Sequence, residues 1–118
     1  MENLILDTNA LIYAIKNKID IKIEITKLVQ TFNILVPQCV IYELNGLGTG
    51  NWYARAALKY AHNFNIIPSE GKADNCIHLM AERLNAYVMT NDRGLIKILK
   101  DDNIKVIIIS NKKSFHFY

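Results

Sequence analysis

Short runs of branched apolar residues alternate along this chain with longer segments in helical period, and that alternation leaves few architectures open. Residues 3–6, 33–36, 65–67, 87–89 and 105–110 read as strands. Residues 10–17, 20–32, 38–47, 51–63, 73–84 and 92–100 read as helices. Asp20 suits the N-cap of the second helix, although its many isoleucines are weak helix formers. Pro37 closes the second strand and suits the first turn of the helix after it. The strands are short and apolar throughout, as a sheet covered on both faces requires. Strands joined by crossover helices build a parallel sheet, so the expected class is α/β.

The chain has 118 residues, 51% of them apolar, enough for one folded domain with a real core. We assign residues 1–110 to that domain and leave 111–118, a polar and aromatic tail, unassigned. The net charge of +3 is compatible with a nucleic-acid partner and equally with a solvated basic surface. Cys39 and Cys76 lie among apolar neighbours without a metal-finger spacing, and read as free buried thiols. The start, Met1-Glu2-Asn3, lacks a signal peptide's basic region, and no apolar run is long enough for a membrane span. The expectation is a cytoplasmic protein without membrane contact.

In open parallel sheets, ligands bind beyond the carboxyl ends of the strands. Asp7 directly follows the first strand; taken alone it reads as a helix N-cap. Asp74 lies one turn before Ile77 on the apolar stripe Ile77, Met80, Ala81 and Leu84, so it reads either as a cap or as an inward-pointing group. Asp92 stands one turn ahead of Leu95 and repeats that geometry one crossover later. Glu43 borders the apolar face made by Val40, Ile41, Leu44 and Leu47, where an exposed helical glutamate is the common finding. Jointly these residues place several carboxylates on one edge of one sheet. Their repulsion calls for a cation. An all-oxygen set suits Mg²⁺ or Mn²⁺, and such an ion activates water for phosphodiester hydrolysis.

Four segments carry a resemblance. Leu4-Ile5-Leu6-Asp7-Thr8-Asn9 resembles the opening motif of PIN-domain nucleases. Val36-Pro37 through Tyr42-Glu43-Leu44 resembles their second acidic motif, Gly71 through Ile77 the third, and Thr90-Asn91-Asp92-Arg93 with Leu95 the fourth. The likeness runs to about Ser110. Within the family the chain looks closest to small archaeal-type members related to pre-rRNA-processing nucleases, and VapC-type toxins are also similar. The resemblance implies a five-stranded parallel sheet ordered 3-2-1-4-5 between helices. It implies an endoribonuclease using Mg²⁺ or Mn²⁺, with Asp7, Glu43, Asp74 and Asp92 as the acidic set. It further implies that Thr8, Asn9, Thr90 and Asn91 orient ligands or waters, and that the chain forms a homodimer or meets an antitoxin or ribosome-assembly partner. Asn75 departs from the pattern, since close relatives often carry a second aspartate there.

Lys72 and Arg93 flank two of the aspartates and could contact an RNA backbone. Arg55 and Lys59 share a helix face after Trp52 and Tyr53, an aromatic and basic pairing that can stack on bases. The bland alternative packs Trp52 inside and leaves the cations solvated. His62, His78 and His116 are scattered, and none reads as a ligand. A haloacid dehalogenase-like phosphatase needs a second aspartate where Asn9 stands, and a receiver domain needs a lysine where the last strand meets Ser110 and Asn111. A binding module without activity is the more serious rival, although all four acidic positions are filled.

Overall fold

The computed structural model describes residues 1–28, 30–110 and 113–118. The elements in chain order are β1 (Glu2–Leu6), α1 (Thr8–Lys16), α2 (Ile21–Ile25), β2 (Phe32–Pro37), α3 (Gln38–Leu47), α4 (Trp52–Ala61), β3 (Asn65–Ile67), α5 (Ala73–Leu84), β4 (Tyr87–Met89), α6 (Arg93–Asp101), β5 (Val106–Ile109) and β6 (Phe115–Phe117). The strands form one sheet ordered β3-β2-β1-β4-β5-β6. Every pairing is parallel except that of β6 with β5. The expected order of the first five strands is therefore the observed one.

Leu4, Ile5 and Leu6 on β1, Val88 and Met89 on β4, and Ile107 on β5 are all fully buried, on both faces of the sheet. This is why these strands read as continuous apolar runs rather than alternating ones. Helices flank the sheet, with α1 and α3 against α4, and α5 against β1, β2, β4 and α3. Among the described residues no helix is long and apolar enough to cross a membrane.

Three local readings change. The predicted helix 20–32 is a five-residue helix, α2, followed by turns. Asp20 does cap it, accepting from the Ile23 amide at 3.3 Å. The Thr26 hydroxyl, however, donates to the Ile23 carbonyl at 2.6 Å, offering the backbone an alternative to the next helical turn. Val29 of that predicted helix lies outside the described residues, as do Asn111 and Lys112 of the tail. Second, Pro37 ends β2 and serves as N-cap of α3 without a side-chain bond; Ser69 supplies it instead, its Oγ accepting from the Cys39 amide at 3.0 Å. Third, the unassigned tail contributes β6, whose Phe115 is buried against the core.

The expectation of two free thiols is corrected. Cys39 and Cys76 form a disulfide, with Cα atoms 6.7 Å apart. The cause is topological. β2 pairs with β3, so the helices that follow them, α3 and α5, pack side by side. Their first turns then bring together residues 37 positions apart in the chain.

Closing a loop of that length restricts the unfolded chain and stabilises the fold by about 4 kcal/mol. We expect melting temperature to fall on treatment with reductant, and to the same level in Cys39→Ser. Equal melting of oxidised and reduced protein would show that the bond contributes nothing.

Candidate functional site

Because β1 to β4 run parallel, the turns leaving their carboxyl ends share one edge of the sheet. Asp7 leaves β1, the α3 helix carrying Glu43 leaves β2, the α5 helix carrying Asp74 follows β3, and Asp92 follows β4. All four carboxylates line one cavity of about 220 Å³ with Thr8, Asn9, Cys39 and Val40. Ala73, Ile77 and Leu95 complete its wall.

Asp7 is the most constrained of the four, only 5% exposed. Its Oδ1 accepts from the Ala10 amide at 2.7 Å, which caps α1. Its Oδ2 accepts from the Thr90 hydroxyl at 2.6 Å. Thr90 is itself fully buried, and its Oγ accepts from the Asp92 amide at 3.0 Å. Asp92 in turn caps α6, its Oδ1 accepting from the Leu95 amide at 3.1 Å. One chain of hydrogen bonds thus runs from the end of β1 to the start of α6. Asp7 and Asp92 are helix caps and cavity-lining groups at once, so the two readings of these aspartates do not compete.

Asp74 is not the cap of α5. Lys72 holds that position, and Ala73 takes a left-handed φ of 50° that turns the chain into the helix. Asp74 is then free to line the cavity from the first turn, half-buried, as its place on the apolar stripe implied. Gly71, with φ 83°, makes the preceding bend.

The electrostatics match the crowding. Burial pushes the Asp7 carboxyl up to about 7, reinforced by the charges of Asp92 and Glu43 and opposed by the bonds from Thr90 and Ala10. Burial also raises Asp74, again reinforced by Asp92 and Glu43. Carboxylates that penalise one another in this way form a set that a divalent cation would neutralise, and every donor among them is oxygen.

Other expected residues are divided. Thr8 and Asn9 line the cavity. The Asn9 Oδ1 accepts from the Asn91 amide at 3.0 Å. Asn91 itself faces β5: its Nδ2 donates to the Ile109 carbonyl and its Oδ1 accepts from the Ile109 amide, each at 2.8 Å. Both ends of its amide are used in holding the strand, so it orients the turn rather than a ligand. Lys72 and Arg93 are exposed beside the cavity without lining it; Arg93 borders a separate groove with Lys97, Lys100 and Tyr118. The Arg55 guanidinium donates to the Gly48 carbonyl at 2.8 Å, which ties α4 to the end of α3. Lys59 is solvated on α4. Trp52 does not pack inside: it is 57% exposed, with its ring 4.0 Å from that of Tyr53. Sequence reasoning missed Cys39 as part of the cavity wall, and the pairing that places it there has no signal in the sequence.

Residues 4–112 match the model of the family described as PIN like domain. The chain is 30% identical to Ribonuclease VapC4 of Methanocaldococcus jannaschii over 128 residues, covering 100% of this chain and 98% of that protein. The structure superposes on that of the PIN domain endonuclease Utp24 with a TM-score of 0.83 and 27% identity, covering 98% of this chain and 90% of the other. It shares its fold with a chain of VapBC-1 from nontypeable Haemophilus influenzae, at a TM-score of 0.57 and 19% identity over 84% of this chain and 93% of that one.

The Asp7 carboxyl holds its proton more tightly when folded (about 7) than at its ordinary 3.8. Between those values the folded state binds the extra proton, so stability falls as pH rises, by up to about 1.4 kcal/mol per pH unit. It is fully present below pH 3.8 and lost through about 7. In chelator, melts of the wild type should show this decline, and Asp7→Asn should remove most of it. Parallel curves for the two proteins would place the burden elsewhere.

Proposed function

Since the chain belongs to the PIN-like domain family, we propose that it is a divalent-metal-dependent endoribonuclease that hydrolyses RNA phosphodiester bonds at the carboxylate cavity. The observation that carries this reading is the convergence of Asp7, Glu43, Asp74 and Asp92, from four separate chain segments, on one small cavity. The names of two relatives support it, one a ribonuclease and the other an endonuclease.

In this reading the four carboxylates hold Mg²⁺ or Mn²⁺. An ion held there would supply a water of lowered pKa and charge shielding for a phosphodiester oxygen. The chain's own contribution is rigidity and charge. Thr90 fixes one Asp7 oxygen and the Ala10 amide the other, so the carboxylate cannot rotate away. Burial of Asp7 and Thr90 keeps bulk water from weakening those bonds. Asn9 fixes the turn that carries Asp92. The amino ends of α1, α5 and α6 meet at the same edge, and their dipoles favour phosphate oxygens. Lys72 and Arg93 stand at the rim, where they would steer the RNA backbone. We place the activity in the cytoplasm.

Two roles fit this chemistry. The motif resemblance to pre-rRNA-processing nucleases favours RNA maturation such as rRNA processing, with a ribosome-assembly partner. The motif resemblance to VapC-type toxins, together with an end-to-end match to a ribonuclease, VapC4, favours a toxin paired with an antitoxin. Induced expression separates them: growth arrest relieved by Asp7→Asn favours the toxin, and unimpaired growth alongside cleavage of a structured RNA favours maturation.

We expect purified protein to cut labelled single-stranded RNA with Mn²⁺ and to stop in chelator. Asp74→Asn and Asp92→Asn should each lower the rate more than about 100-fold while remaining folded. Wild-type rates in both variants would refute the assignment of these residues.

A further inference from the structure

A second cluster lies toward the other end of α5 and α6. His78 and Glu82 are one turn apart on α5, and Asp102 is the C-cap of α6. The His78 Nε2 is 3.0 Å from the Glu82 Oε1 and 2.5 Å from the Asp102 Oδ2. All three ligand atoms lie within 4.8 Å of one another.

An imidazole Nε2 carries at most one proton, and a single N–H cannot point well at two acceptors. Two carboxylates nevertheless converge on that one nitrogen. A divalent ion between the three atoms would satisfy both carboxylates and use the nitrogen lone pair. The two helices end nearby, α5 at Leu84 and α6 at Asp101, so the negative ends of both dipoles add to the local potential. Neighbouring cations are engaged elsewhere: Arg83 pairs with Glu70, and Lys105 lies over the Tyr87 ring at 5.3 Å. Glu82 and Asp102 are about half exposed, which leaves room for water ligands.

We propose that His78, Glu82 and Asp102 form a second metal site, selective for a borderline transition ion such as Zn²⁺ or Co²⁺. One imidazole and two carboxylates suit these ions better than Mg²⁺, which keeps to oxygen. The site departs from the sequence reading, in which no histidine is a ligand, and it does not depend on the nuclease reading. Its structural effect is a clamp. The same two helices present Asp74 and Asp92 at their amino ends, so an ion joining them further along fixes the angle at which those carboxylates meet.

The test is Co²⁺ and Zn²⁺ titration of the metal-stripped, disulfide-intact full chain in excess Mg²⁺, followed by visible absorption, calorimetry and thermal melts. The expected result is one equivalent of Zn²⁺ or Co²⁺ bound beyond Mg²⁺, with a raised melting temperature. His78→Gln and Asp102→Asn should weaken that binding by roughly tenfold or more, while Asp7→Asn leaves it unchanged. The proposal is overturned if no such equivalent binds, if His78→Gln binds it as well as the wild type, or if Asp7→Asn abolishes it. A variant that melts lower without metal yet shows the full Zn²⁺ shift would also overturn it, because His78 would then be only an ion-paired side chain.

Discussion

A carboxylate held inside the protein organises the whole carboxyl edge of the sheet. Asp7 is nearly inaccessible to solvent, yet it lies among other acids. Burying a charge without compensation is costly, and two neighbours divide the compensation here. The Ala10 amide and the Thr90 hydroxyl each take one oxygen. Thr90 passes the constraint to the Asp92 backbone, and so to a second crossover. The ends of β1 and β4 are therefore locked by side chains as well as by the strand ladder. Any chemistry at this edge inherits a geometry set by the core rather than by a surface loop.

The disulfide extends that rigidity to the opposite wall. It joins the first turns of α3 and α5, one turn before Glu43 and two residues after Asp74. These two carboxylates sit on helices rather than on the central strands, so they have the greater freedom to separate. A covalent link beside them limits that freedom where mutual repulsion would otherwise push the helices apart.

Much of this was legible in the sequence because it rests on local rules. Apolar runs such as Leu4-Ile5-Leu6 and Tyr87-Val88-Met89 are strands buried on both sides, and helical period fixed α5 to its observed bounds. Asp74 was readable from its place on the α5 stripe. What was not legible depends on contacts between distant residues. The Cys39–Cys76 pairing follows from which strands are neighbours, and the Ser69 cap on α3 comes from 30 residues away. The resemblance counted Asn91 among the groups that orient ligands or waters, but its amide matches the backbone of β5. α2 stopped early because Thr26 turned its hydroxyl onto the helix backbone.

The sixth strand has one more effect. By pairing antiparallel with β5, Phe115–Phe117 occupies backbone groups that would otherwise line an open margin of the sheet. The opposite margin is β3, three residues long and followed at once by Pro68, which has no amide proton to offer. The edge passes to β6, itself only three residues long, so both margins are short and give another chain little to stitch onto. That guards a core rich in isoleucine and leucine against the edge-to-edge polymerisation to which such strands are prone.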